Sequence, residues 1–157
     1  MKVSAGILLF RKSSDGDIEY LLVHPGGPFF ARKQDGAWSV PKGELNSDEE
    51  PLKAAIREFE EEMGYRLSGN FIELQPIVQK NGKKVLCWAH ERDLDPEKIT
   101  SNTFETEWPP KSGKMKSFPE VDKAGWFDFE MAAKLINEKQ IRLLEELREL
   151  LKDYYGN

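Results

Sequence analysis

The stretch from Gly43 to Tyr65, GELNSDEEPLKAAIREFEEEMGY, constrains this chain more than any other. It reads as a helix that stops at Gly64, and Glu58, Glu60, Glu61 and Glu62 crowd its last turns. The C-terminal end of a helix carries partial negative charge, so each carboxylate there is disfavoured by about 0.3–1 kcal/mol. An otherwise well-formed helix that keeps such acids implies a positive partner, and a divalent metal ion is the first candidate. Leu52, Ile56, Phe59 and Met63 have the spacing of a core-facing stripe, with Ala54 and Ala55 keeping the helix slim. Glu58, Glu61 and Glu62 stand at i, i+3 and i+4 on another face. Ser47 and Glu50 offer a capping box, and Pro51 in the first turn favours Asp48 as the cap. Arg57 and Glu49, eight residues apart, are too far from each other to pair along one regular helix.

Around this helix the chain alternates strands and turns. Val3 to Phe10 is apolar enough for a buried strand, and Ile18 to His24 is its hairpin partner across a Ser-Ser-Asp-Gly turn. The following His24-Pro25-Gly26-Gly27-Pro28-Phe29-Phe30 loop carries two aromatics, read as plugs for the end of the core, with base stacking as the alternative. His24 is read as a hydrogen-bonded strand-end residue. A short strand from Gly36 runs into the Pro41-Lys42-Gly43 turn. Phe71 to Lys80 and Lys83 to Asp93 flank Asn81-Gly82 and predict two long antiparallel strands, with Pro76 marking an edge or a bulge. Thr100 to Trp108 is a strand candidate and Pro109 to Pro119 a flexible basic loop. A final strand lies around Gly125-Trp126-Phe127. Asp128 caps a helix through Leu135, and Ile141, Leu144, Leu147 (or Leu143), Leu150 and Leu151 mark a last amphipathic helix. Strands flanked by helices make an α+β domain with a mixed sheet.

At 157 residues the chain fits a single domain over 1–157 with a core that needs no disulfide, and one cysteine, Cys87, allows none within the chain. The apolar run near the N-terminus is too short for a membrane span and unlike a signal peptide, so a cytoplasmic protein is expected. A net charge of −5 argues against general affinity for nucleic acid or membrane surfaces. It leaves room for a phosphorylated small molecule whose charge metal ions balance.

Gly43, five residues, Glu49, seven residues, then Arg57-Glu58-Phe59-Glu60-Glu61-Glu62-Met63-Gly64-Tyr65 fills every fixed place of the Nudix box. The chain therefore resembles the Nudix hydrolases, and its tail from Phe118 to Leu147 is similar to the diadenosine tetraphosphate hydrolase branch. The resemblance implies an α/β/α sandwich with a loop-helix-loop motif that hydrolyses a nucleoside diphosphate linked to another moiety. It implies Mg²⁺, with Mn²⁺ as substitute, on Gly43, Glu58, Glu61, Glu62 and Glu120, of which Glu58, Glu61 and Glu120 are also the candidates for catalysis. Hard oxygen ligands suit that ion, and clustered Mg²⁺ neutralises phosphoryl oxygens and activates water. Lys42 is a phosphate contact by position, and Lys114 and Lys116 are candidates to guide a polyphosphate, the alternative being a solvated loop. Glu49, Arg57 and Gly64 are assigned structural roles, and Glu60 is expected in solvent.

A dinucleoside polyphosphate is the expected substrate. Glu44 stands where that branch usually has a histidine, and its tyrosine clamp is not evident, so a nucleoside triphosphate pyrophosphohydrolase is the alternative. Cap removal from RNA is disfavoured, because the chain has no evident basic track and reads Pro41-Lys42-Gly43-Glu44 where that branch has Pro-Gln-Gly-Gly. A nucleotide-binding sensor module would be expected to have lost box glutamates, and this chain keeps them all. An acidic protein-interaction domain, with the glutamates as a solvated face, is the reading that needs no metal.

Overall fold

The first strand is buried on both sides, and that fixes the layers. Ala5, Ile7 and Leu9 enter one core while Leu8 and Phe10 enter the other, all of them without solvent exposure. A strand sandwiched in this way reads as a continuous apolar run rather than an alternating one. The computed structural model describes residues 2–79 and 82–155. In chain order it contains β1 (Val3–Lys12), β2 (Ile18–Pro25), β3 (Lys42–Glu44), α1 (Pro51–Met63), β4 (Ile72–Glu73), β5 (Ile77–Val78), β6 (Lys84–Glu91), β7 (Thr103–Glu107), β8 (Met115–Pro119), β9 (Val121–Phe127), α2 (Phe129–Leu135) and α3 (Ile141–Tyr154). No described helix is long and apolar enough to cross a membrane.

β6 runs parallel to β1 from Val3↔Lys84 to Phe10↔Glu91, and the other pairings of the main sheet are antiparallel. β2 pairs with β1 only at Phe10–Lys12; β3 takes its place beside Ser4, Ala5 and Gly6. β9 extends the sheet beyond β2, and β4 and β5 share the outer side of β6. The helix α1 covers one face through Ala54, Ala55, Phe59 and Met63. On the other face α2 and α3 supply Ala132, Leu135, Leu143, Leu144, Leu147 and Leu151. This is the mixed sheet between helical layers expected from the sequence. Tyr154 and Tyr155 donate to the two oxygens of Glu91 at 2.8 and 2.7 Å, fastening the end of α3 to β6.

Several expectations are corrected. The Gly36–Gly43 strand shrinks to β3, because Trp38 and Ser39 form only isolated bridges and the Val40 N–H is taken by the buried Gln140 side chain at 3.0 Å. The first long strand after the motif helix breaks into β4 and β5. Pro76 supplies no donor there, and the register against β6 slips by one residue, as the edge-or-bulge reading anticipated. Lys80 and Asn81 of the proposed hairpin turn lie outside the described residues. The basic loop 109–119 is half strand, since β8 pairs with β7 as a separate two-stranded arm. Phe29 and Phe30 do not plug the core; they are 56% and 39% exposed. Ile56 is only partly buried and stands outside both core clusters, and Leu150 is exposed. Asp128 caps α2 as expected, its Oδ1 accepting from Met131 N at 2.9 Å.

Phe59 is the largest fully buried side chain of α1. Phe59→Ala should lower the unfolding free energy by about 3–5 kcal/mol, read as a shift in denaturant midpoint at constant slope.

Candidate functional site

The helix begins later than the capping-box reading placed it. Glu50 is the cap residue, with φ −67° and ψ 133° and no side-chain capping bond, and Pro51 opens the helix. Asp48 sits instead at φ +64° in the preceding loop. Proline at the first helical position leaves no hydrogen bond unmade, so a side-chain cap is not needed for that residue. Glu49 organises the loop: its Oε1 accepts from Asn46 N at 2.9 Å.

Glu49 and Arg57 do not pair along one regular helix, yet they meet, in keeping with the structural role assigned to both. Glu49 precedes the helix, so its loop folds back along the helix flank rather than continuing the spiral. Arg57 Nε donates to Glu49 Oε2 at 2.8 Å and Nη2 to Oε1 at 2.9 Å, the two-pronged geometry that fits guanidinium to carboxylate. Nη1 donates to Glu58 Oε1 at 2.9 Å and to Glu61 Oε2 at 2.6 Å, and Nη2 also reaches the Glu44 carbonyl at 3.3 Å. The guanidinium hydrogen bonds, with the bond from Asn46, hold the Glu49 carboxyl down at about 2, and its acidic neighbours raise the pKa of Arg57 further.

Glu62 stands apart from this hub. It is 7% exposed, and no hydrogen bond reaches its carboxylate from the described residues. Burial pushes its pKa up to about 8, with repulsion from Glu58, Glu120 and Glu61 adding to the rise and Lys42 opposing it. Glu58 is raised as well, by burial first, against its bond from Arg57 and with repulsion from Glu61 and Glu120. Lys42 is lowered by burial and by Lys83 nearby, against the attraction of Glu62, Glu44 and Glu58. Gly43 lies directly under the Glu58 carboxylate: a Cβ at this position would overlap it. β3 holds Gly43 in register with Ala5 of the central strand.

At its far end the helix is closed by Gly64 at φ +79°, whose N–H donates to Glu60 O at 2.8 Å. Two further carbonyls of the last turn are met by a later segment. Thr100 N donates to Met63 O at 3.3 Å and Asn102 N to Glu61 O at 3.0 Å. Asn102 Nδ2 also reaches Glu61 Oε1 at 3.4 Å, and Glu120 N donates to Asn102 O at 2.8 Å. Glu120 is thereby brought to the helix acids, and burial and the charge of Glu61 raise its pKa. Asn102 escaped the sequence reading, because an asparagine in a Ser-Asn-Thr run carries no spacing signal. Glu60 is exposed, as expected.

The lysines of the arm are placed differently. Among the described residues Lys114 and Lys116 make no ion pair, and both are exposed. Glu107 is engaged in the arm's own turn, accepting from Lys111 N at 3.0 Å and Gly113 N at 2.9 Å. A cavity of about 600 Å³ lined by Arg11, Asp93, Leu94, Asp95, Pro96 and Trp126 shares no residue with the acidic cluster.

Among the described residues no three acids, imidazoles or thiols converge on one point, since Glu58 and Glu61 each turn an oxygen to Arg57. The chemistry nonetheless fits a hard divalent cation. The donors are all oxygens, and Glu62 is a nearly buried carboxylate with neighbours of like charge and no hydrogen-bond donor.

The family model of the NUDIX domain matches residues 1–147. Over 108 residues, 60% of this chain and 68% of the relative, the chain is 31% identical to the bis(5'-nucleosyl)-tetraphosphatase [asymmetrical] of Rattus norvegicus. It is 26% identical over 111 residues, or 69% of its length, to mRNA-decapping enzyme subunit 2 of Saccharomyces cerevisiae, and the match spans only 10% of that longer protein. The crystal structure of an Ap4A hydrolase binary complex from C. elegans superposes with a TM-score of 0.70 at 22% identity, covering 94% of this chain and 97% of that one. At that identity the superposition speaks for the fold alone.

A folded-state pKa raised to about 8 means that the folded chain binds the Glu62 proton more tightly than the unfolded chain does. The metal-free protein should therefore lose stability as pH rises from the ordinary carboxylate range through 8. Saturating Mg²⁺ should abolish that slope, because it binds the ionised folded form. Glu62→Gln should remove the part of the slope that extends up to about pH 8, leaving the contributions of Glu58 and Glu120, all read from melting temperatures between pH 5 and 9.

Proposed function

The chain belongs to the NUDIX family, and from that premise we propose that residues 1–157 act as one metal-dependent hydrolase of phosphoanhydride bonds, with dinucleoside polyphosphates as preferred substrates. The observation that carries the reading is Glu62, a nearly buried carboxylate that no hydrogen bond from the described residues reaches and that lies beside Glu58, Glu61 and Glu120. The substrate preference is supported by the likeness to the rat tetraphosphatase. A nucleoside triphosphate pyrophosphohydrolase is the second reading, favoured by Glu44 in the place where the dinucleotide branch carries a histidine.

Gly43, through its carbonyl, and Glu58, Glu61, Glu62 and Glu120 are the residues to hold Mg²⁺ or Mn²⁺, which when bound supplies charge neutralisation at phosphoryl oxygens and an acidified water. Arg57 fixes the Glu58 and Glu61 carboxylates so that they do not swing apart under mutual repulsion. Lys42 offers an ammonium group next to Gly43 for a phosphate oxygen. Glu120 is the candidate to accept the proton of the attacking water: no bond from Arg57 engages it, and its raised pKa makes it a better base than an ordinary carboxylate.

Diadenosine tetraphosphate, ATP, a nucleotide sugar and an inositol pyrophosphate, each with and without Mg²⁺ and with products identified, form the test. Mg²⁺-dependent cleavage of the dinucleotide is expected, with Glu58→Gln or Glu62→Gln at least about 10²-fold slower in kcat. Cleavage of ATP to AMP and pyrophosphate without dinucleotide cleavage would favour the second reading. Turnover of none of the four, by wild type and variants alike, would leave a binding module instead. Glu120 must be ionised to work as a base, so Glu120→Gln should be slow at every pH, while activity still falls towards acid pH as Glu62 and Glu58 take up protons in place of the metal.

A further inference from the structure

The arm formed by β7 and β8 grows out of the acidic site. Asn102, immediately before β7, touches Glu61 through both its backbone and its side chain, and Glu120, immediately after β8, donates its N–H to Asn102 O. A five-residue ladder from Thr103↔Pro119 to Glu107↔Met115 then carries the chain away, and Trp108 N donates to Lys114 O at 3.0 Å beyond it.

The two faces of this ribbon differ in chemistry. Side chains alternate along a strand, and residues directly opposite share a face. One face therefore carries Glu105, Glu107, Met115 and Ser117. The other carries Phe104, Thr106, Trp108, Lys114, Lys116 and Phe118. Phe104 and Phe118 root the second face, with ring centroids 6.1 Å apart and Phe104 packed on Gly27. At its outer end Trp108 meets Phe29 edge-on, with centroids 5.7 Å apart, and Phe29 remains 56% exposed. Its acids are segregated to the back, and its lysines share the front with an open aromatic pair.

We propose that this front face is the specificity platform for the far nucleoside of a dinucleoside polyphosphate: the exposed Phe29 ring, braced edge-on by Trp108, stacks on its base, and Lys114 and Lys116 line the path of the intervening phosphates. Charge decides the occupant between the two ends, because the exposed lysines make no ion pair within the described chain and a polyphosphate brings the opposite sign. Length decides which base it is. Six steps of extended chain lead from Asn102 to Trp108, a reach of about 20 Å. A base at the end of a phosphate chain spans such a gap, whereas the base of a nucleotide bound by its own phosphates at the acidic cluster does not. Faces of this kind grip bases without reading them, since every base offers a π surface.

The inference rests on the hydrolase reading above, and its test separates the two. The wild type and the Phe29→Ala/Trp108→Ala double variant are titrated in Mg²⁺ with a methylene-bridged diadenosine tetraphosphate and a methylene-bridged ATP, neither of which is cleaved. The double variant should lose about tenfold or more in affinity for the dinucleotide relative to the ATP analogue. Trp108→Phe should recover most of that ratio, and Met115→Ala, on the opposite face, should leave it unchanged. Lys114→Ala/Lys116→Ala should flatten the salt dependence of dinucleotide binding. Melting temperatures within a degree or two of wild type establish that the variants are folded, and a variant that melts early is replaced by Trp108→Ser in the same ratio measurement. Equal losses for both ligands, no loss, or no dinucleotide binding by the wild type would overturn the platform. Discrimination in binding without turnover of the cleavable dinucleotide would overturn the hydrolase reading and uphold the platform; turnover without discrimination would do the reverse.

Discussion

The guanidinium of Arg57 is the interaction on which the site depends. Its five N–H donors face five oxygens: both of Glu49, one each of Glu58 and Glu61, and the Glu44 carbonyl. A single cation thus ties the loop that enters the helix to two acids in the helix's later turns. It offsets the repulsion that would otherwise scatter them and the unfavourable field at that end of the helix. Glu62 gains nothing from it. Hydrogen bonds from this one cation thus reach three carboxylates of the motif, leaving a net negative charge among them, and none reaches the fourth.

The helix C-terminus is the second organising point. A helix leaves carbonyls without partners in its last turn, and here Thr100 and Asn102 supply N–H groups to Met63 and Glu61. Satisfying those peptide groups and delivering Glu120 are consequences of the same short segment, because Asn102 in turn accepts from Glu120. The distal acid is held by backbone hydrogen bonds to Asn102 and Gly26, the first of which is itself bonded to the motif helix, rather than by a side-chain bond of its own.

Fold and site were legible in the sequence to different depths. The sandwiched β1, the amphipathic α1 and α3 and the Asp128 cap were readable because each rests on local periodicity or local hydrogen bonding. The box acids were readable because they violate a local rule. What escaped depends on long-range contacts. Helical spacing does not report the Arg57 to Glu49 pair, because Glu49 precedes the helix. The strand at Gly36 lost its ladder to Gln140, a side chain a hundred residues away along the chain. Phe29 and Phe30 read as plugs for the core, because hydrophobicity does not tell an interior from an exposed aromatic surface. Asn102 acts mainly through its backbone, which no residue pattern reports.

The bond from Glu120 to Asn102 also closes a loop whose contents are independent of its closure. With its ends pinned, the ribbon between them behaves as a cassette. Doubling the length of such a loop adds only about 0.6 kcal/mol of closure entropy. Longer, shorter or chemically different ribbons could be grafted between these two residues while the acids of the helix stay where they are. The acids of the helix and the ribbon are therefore free to change, by evolution or by engineering, on separate schedules.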